Sequence, residues 1–283
     1  MLYKQIRQNK IKTIVVVFLY IVLFTIVGAV AGYYMSGDWR VGIPIALVMG
    51  IVYSTFMVFQ GRNIVMYLNG GREADPVEYK TLHTLVNNMA ILAKVPKPKV
   101  YVIEDDALNA FATGSSPKRS AVAVTTGLMN KLNRYELQGV IAHEMAHIKN
   151  YDVRLQTITI ALGTIMGLIV DIAFRSRRSS DTNGPIALIG IIITLIITLI
   201  IAPMVALAIS RAREYQADAW AARLTRNPYA LISALEKISE NPRVEKVASN
   251  SAGMFIASPL SGELLSTHPK IEKRIERLQQ LVQ

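Results

Sequence analysis

"VIAHEMAHIKN", residues 140–150, carries two of the four histidines of the chain, His143 and His147, one helical turn apart, with Glu144 directly after the first. On an α-helix both rings leave the same face and can reach one metal ion, while Glu144 lies beside that face, where it can hold a metal-bound water. Two ordinary histidines on a surface helix would show the same spacing. A third ligand separates the two readings, because a catalytic zinc takes three protein ligands and keeps one position open.

The helix itself is well announced. Asn133 and Glu136 have the spacing of a capping box and open a helix predicted to run from about Arg134 to Asn150. The chain has no cysteine, so a transition metal must be held by histidine and carboxylate. The best third ligand is Glu214, in "SRAREYQAD" (210–218), with Asp218 one turn later on the same face. From there Asp218 can accept a hydrogen bond from the outer nitrogen of a ligand histidine, the support that metal histidines usually require. Taken without the histidines, Glu214 and Asp218 read as a solvated helix face balanced by Arg211 and Arg213.

Around these motifs the chain reads as a membrane protein. Of its 283 residues 52% are hydrophobic, gathered in blocks. Thr13 to Met35, Val41 to Phe59 and Pro185 to Ile209 are uncharged, and Leu155 to Phe174 carries only Asp171; each has the roughly 20 residues that cross a bilayer as a helix. Four spans are therefore expected, the first being too long for a cleaved signal segment. The net charge of +11 does not call for nucleic acid, since basic residues flank the spans: Lys4, Arg7, Lys10 and Lys12 before the first, Arg62 after the second. Positive-inside topology then places the N-terminus and both polar segments in the cytoplasm. The loop "RSRRSSDTN" (175–183) is the exception, with three arginines on the outer side, unless the third and fourth runs form a hairpin that does not fully cross. Asp171 is accounted for by pairing with Arg175 at the membrane boundary.

The layout is thus 1–59, two membrane helices; 60–154, a first cytosolic part; 155–209, two further hydrophobic helices; 210–283, a second cytosolic part. In the first part, Asp75 and Glu78 suggest a capping box for a helix with Val77, Leu82, Leu85, Met89 and Leu92 on its apolar face. "KVYVIE" (99–104) and "SAVAVTT" (120–126) read as strands, and "DDALNAFATGSSPKR" between them as a hairpin or loop. In the second part, helices follow from Ser210 and from Pro228, the chain loosens from Asn241 to Ser266, and Pro269 opens a short helix with Ile271, Ile275 and Leu278 on one face. His83 reads as structural.

"HEMAH" followed by "SRAREYQAD", with apolar spans before and between them and "STHP" near the end, resembles the HtpX-type membrane zinc metalloproteases, relatives of the CAAX prenyl proteases and more distantly of thermolysin-like enzymes. The resemblance implies a mainly α fold with a small β-sheet, an α+β zincin-like catalytic domain, plus about four transmembrane helices. It implies one Zn2+ per chain bound by His143, His147 and Glu214, with Glu144 as general base and acid and Asp218 supporting a ligand histidine. "NAFATG" (109–114) is similar to the edge strand on which such enzymes align a substrate backbone, which makes Asn109 and Ala110 substrate-binding candidates. His268, in "STHP", is by the same likeness a catalytic candidate, stabilising the oxyanion or occupying the open metal position at rest.

Glu214 lies five residues after the fourth apolar run, and the third begins eight residues after His147, so at about 1.5 Å per residue the metal sits within roughly 10 Å of the bilayer's edge. Chains emerging from the membrane are thus within reach, and the resemblance implies endopeptidase cleavage of misfolded or damaged membrane proteins, or of unfolded polypeptide, at the cytosolic face of the cell membrane. Two other readings differ in kind. A non-catalytic zinc sensor would not need Glu144, and a transporter with a chance HExxH would place several polar groups inside its spans.

Overall fold

Backbone polar groups in an apolar segment must be satisfied within that segment, and the first long run accordingly forms one helix, α1 (Leu2–Ser36). Gly37 then adopts φ +72°, a left-handed conformation open to glycine, and the Asp38 side chain accepts from Arg40 N at 2.9 Å to start α2 (Trp39–Leu68). The structure, a computed structural model, describes residues 2–164, 211–244, 254–257 and 269–281.

Ile6–Tyr33 and Trp39–Leu68 are each long and apolar enough to cross a membrane. Their outer faces expose Ile14, Phe18, Ile45, Val48, Val52 and Phe56, as a lipid-facing hairpin would. The inner seam is built from small residues: a Cβ on Gly32 would stand 2.6 Å from Gly42 N, so the two backbones approach as closely as glycine permits. Of the four expected spans, these two are present as helices. Residues 152–164, helical and here called α6, include the start of the third run; its remainder, Asp171, the 175–183 loop and the fourth run lie outside the described residues.

The soluble part is helical around a small mixed sheet. Strands β1 (Gly71–Glu73), β2 (Lys99–Ile103), β3 (Ala110–Gly114) and β4 (Ser120–Thr125) lie in the order β1-β2-β4-β3. β1 is antiparallel to β2, β2 parallel to β4 with Lys99 opposite Ala121, and β3 antiparallel to β4 with Ala110 opposite Val124. The two strands read from the sequence appear as expected. The stretch between them, read from composition as a hairpin or loop and from the family resemblance as an edge strand at 109–114, contributes β3 at the sheet's edge, and β1 was not foreseen.

Six further α-helices lie among the described residues: α3 (Lys80–Ala93), α4 (Thr126–Lys131), α5 (Arg134–Lys149), α7 (Arg211–Thr225), α8 (Pro228–Glu240) and α9 (Ile271–Gln280). The 75–78 signature works differently from a capping box. Asp75 accepts from Val77 N and Glu78 N in a separate turn, α3 starts only at Lys80, and Glu78 faces Arg72 at 3.6 Å. Val77 is consequently 86% exposed and Leu92 is exposed too, leaving Leu82, Leu85 and Met89 as the buried face. His83 has the structural place expected of it, its Nε2 3.0 Å from Ala74 O.

Three apolar clusters hold these parts together. One packs α3, α5, α8 and α9 against one face of the sheet, with Leu85, Met89, Ile141, Met145, Leu231 and Leu235 at its centre. Here α5 and α8 nearly touch, since a Cβ on Gly139 would lie 3.2 Å from the Leu231 backbone. On the other sheet face Val65 and Met66, from the end of α2, meet Ile103, Phe111 and Ile160. The third cluster joins Tyr20 and Leu23 of α1 and Met57 of α2 to Leu155, Ile158 and Leu162 of α6. The second cytosolic part read from the sequence folds onto the first, and α2 runs past the expected boundary at residue 59 into the soluble core.

Candidate metal centre

α5 begins with the expected capping box. Asn133 Oδ1 accepts from Glu136 N at 3.0 Å, and the Glu136 carboxylate accepts from Asn133 N at 2.8 Å. The same carboxylate accepts from the Ser233 hydroxyl (2.7 Å) and the Lys237 ammonium (2.8 Å), which ties the start of α5 to α8. One helix thus carries its own anchorage and, three turns on, His143, Glu144 and His147.

The two histidines turn Nε2 toward each other at 3.0 Å. Glu214, from α7, completes a triangle: Oε2 is 3.6 Å from His143 Nε2 and Oε1 is 3.5 Å from His147 Nε2. Tetrahedral zinc with bonds near 2.0–2.1 Å separates its ligands by about 3.4 Å, so these three spacings bracket the value the ion demands. Glu144, next to His143 on α5, is buried, and its Oε1 has no hydrogen-bond partner among the described residues, an unsatisfied polar atom of the kind a site water would satisfy. The donor set and this oxygen fit a catalytic zinc site.

The electrostatics follow from burial and crowded charge. Burial pushes the Glu144 carboxyl above the usual carboxylate range, against the pull of His143 and His147. For His143 burial acts downward, but its contacts with Asp218 and Glu214 win and push it up to about 9. His147 is likewise raised, burial being outweighed by Glu214 and Asp152.

Asp218 lies where the sequence suggested, its Oδ1 accepting from His143 Nδ1 at 2.9 Å. Behind it stands a residue that sequence reasoning missed. Arg274 of α9 is fully buried, donates from Nε and Nη2 to the two Asp218 oxygens at 2.8 and 2.7 Å, and places Nη1 3.9 Å from Glu214 Oε2. Nothing in "IEKRIERLQQ" distinguishes this arginine from the basic side of an amphipathic helix. His147 has a carboxylate as well, Asp152, at 3.3 Å from Nδ1, which was equally unforeseen.

Asn109 and Ala110 stand at the head of the edge strand β3, and both are engaged by the chain itself. Asn109 Nδ2 donates to Pro242 O (2.7 Å) and Ala257 O (3.0 Å), Ala110 O accepts from Ile256 N (2.8 Å), and Phe111 pairs with Phe255. Arg274 Nη1 donates to Ile256 O at 2.6 Å, so residues 254–257, bridged to β3 at Phe255, lie between β3 and the arginine of the candidate metal centre. His268 lies outside the described residues.

The chain resembles known proteins along its whole length. Residues 76–282 match the model of Peptidase family M48. Curated relatives span the whole chain: the Protease HtpX homolog of Streptococcus uberis is 44% identical over 297 residues, covering 99% of this chain and 100% of that protein. The Protease HtpX homolog of Streptococcus agalactiae is 44% identical over 296 residues with the same coverage. Among solved structures, Ste24p of S. mikatae superposes with a TM-score of 0.51 at 19% identity, over 98% of this chain and 67% of that one, a likeness of fold.

Proposed function

Because the chain belongs to Peptidase family M48 and is a membrane protease of the HtpX type, we propose that it is a zinc endopeptidase cutting membrane proteins at the cytosolic face of the cell membrane. The observation that carries the reading is the triangle of His143, His147 and Glu214 beside the buried, unpartnered oxygen of Glu144.

When bound, zinc supplies Lewis acidity to the attacking water and to the scissile carbonyl. His143, His147 and Glu214 would hold it, one ion per chain. Glu144, its carboxyl raised by burial, takes the proton of the water as base and returns it to the leaving amine as acid. Asp218 and Arg274 keep His143 turned with Nε2 inward. His268 is assigned to the developing oxyanion, or to the open metal position at rest.

The substrate is read as an extended polypeptide added to the outer edge of β3 in place of residues 254–257, aligned by Asn109 and Ala110. Both residues are buried and bonded to 256–257, so a substrate that uses them must displace that segment. Misfolded or damaged membrane proteins suit such a site, since strand addition reads backbone and needs unfolded chain. Arg7, Lys10, Lys12 and Arg62 flank the hairpin on the side of the catalytic part, which supports a cytosolic orientation. Quality control of membrane proteins is the role that fits.

The test is cleavage of an unfolded membrane protein by detergent-purified, zinc-loaded enzyme beside Glu144→Ala at matched zinc content. Activity confined to the wild type assigns the protease and its base. Silence of both with zinc bound points to a zinc sensor, and equal activity of both to another site. Equal degradation of soluble unfolded protein and membrane protein would sink the substrate reading alone.

A further inference from the structure

The two ligand histidines are supported from opposite sides of the centre. His143 turns its outer nitrogen to Asp218, which Arg274 of the soluble domain holds. His147 turns its outer nitrogen to Asp152, and there the holding groups come from elsewhere. Asp152 Oδ1 accepts from Asn9 Nδ2 at 2.9 Å and stands 3.3 Å from Arg213 Nη1, while Oδ2 faces His147 Nδ1. Asn9 belongs to α1, three residues into the apolar run Ile6–Tyr33, and is 4% exposed.

Asn9 does more than touch the carboxylate. Nδ2 also reaches Asn150 O (3.2 Å), and Oδ1 accepts from Arg213 Nη1 (3.3 Å). The next residue of α1, Lys10, sets its ammonium 4.7 Å over the ring of Tyr151. Tyr151 has φ +60°, a left-handed conformation that a non-glycine residue holds only when its surroundings impose it. Asn9 and Lys10 therefore grip the corner 150–152 between α5 and α6, and this corner aims Asp152 at His147. A carboxylate on the outer nitrogen of a metal histidine fixes its tautomer and orientation, and losing it typically weakens metal binding about 10- to 100-fold.

Resting on the metal-site reading above, we propose that Asp152 is the positioning residue of His147 and that Asn9 holds Asp152 in place, so that the first membrane helix is a working part of the metal centre. The helix that would anchor the enzyme in the bilayer also orients one of its ligands.

The experiment uses the full-length protein in detergent. Zinc affinity is measured by chelator competition, and the electronic spectrum is recorded after cobalt substitution, for wild type, Asp152→Asn, Asp152→Glu, Asn9→Leu and Thr25→Val. The last removes from the same helix a hydroxyl that donates, among the described residues, to the Ile21 carbonyl of its own helix. The expectation is a loss of about 10- to 100-fold for Asp152→Asn with displaced cobalt bands, recovery of most of it in Asp152→Glu, a smaller loss for Asn9→Leu, and none for Thr25→Val. Asp152→Asn and Asn9→Leu are repeated on a His147→Ala background. If they act through His147 their effect on affinity vanishes there, whereas a general loss of folding persists and would overturn the proposal. Wild-type affinity and spectra in both single variants would overturn it as well. Failure of the wild type to bind zinc would instead remove the metal-site reading, and this proposal with it.

Discussion

Arg274 and Asp218 form a buried, two-pronged ion pair at the core of the site, and each raises the other's preference for its charged form. Asp218 is held below the usual carboxylate range, burial being overcome by Arg274, and the arginine is raised in turn. Removing one partner strands the other's charge in the interior. Arg274→Leu should therefore destabilise the protein by about 3–5 kcal/mol and weaken zinc binding through His143, whereas Asp218→Asn leaves the cation stranded instead. Chemical denaturation and chelator competition on the two variants check both effects. The histidines carry a second consequence. A ligand histidine must be neutral, yet His143 is pushed up to about 9 and His147 is also raised, so both keep their protons to a higher pH than free imidazole. Zinc must displace those protons, so its affinity should fall as the pH drops below about 9, by about tenfold per unit for each proton released. Calorimetry in buffers of different ionisation enthalpy counts the protons.

Among the elements, α5 matters most, because it is anchored at its N-terminus and carries three side chains of the candidate metal centre. Glu136 is 3% exposed, and although burial works the other way, Lys237, Ser233 and the Asn133 backbone hold its carboxyl below the ordinary value of 4.5. With the folded pKa depressed, the stabilisation is complete above the unfolded value and is lost as the pH falls through the folded one. Glu136→Gln should thus lower stability by about 1–3 kcal/mol at neutral pH, and wild type and variant should converge in acid. Thermal melts across the acid range measure this. β3 shows where local reading fails. "AFATG" contains an alanine pair, a threonine and a glycine at φ +142°, no more than a loop asks for, and it becomes a strand because β4 lies alongside it. Val77 and Leu92 fail in the opposite direction: they keep helical spacing with the buried residues of α3 but stand outside the face that packs.

On the scale of the molecule, the membrane hairpin and the soluble part share cores. Val65 and Met66 of α2 are buried against the sheet, and α6 packs on α1 while Thr157 accepts from Gly114 N at the end of β3. A fragment beginning at Gly70 would uncover the sheet face and α6 together, some of the most apolar surface in the chain. It should elute as aggregate from size-exclusion chromatography in detergent-free buffer, while the full chain in detergent stays monodisperse. By itself the sequence determined whatever depends on neighbours along the chain: the apolar runs, the capped helix that carries His143, Glu144 and His147, the one-turn spacing of Glu214 and Asp218, and two of the four strands. The tertiary structure alone decided what depends on groups far apart in the chain. Asn9, Asp152 and Arg213 meet across more than 200 residues, Arg274 is buried against Asp218, and 254–257 covers β3. The physical reason is that a helix or a cap is specified by periodicity and side-chain chemistry within a few residues, whereas a buried polar contact exists only once packing has removed the water that would otherwise solvate each partner.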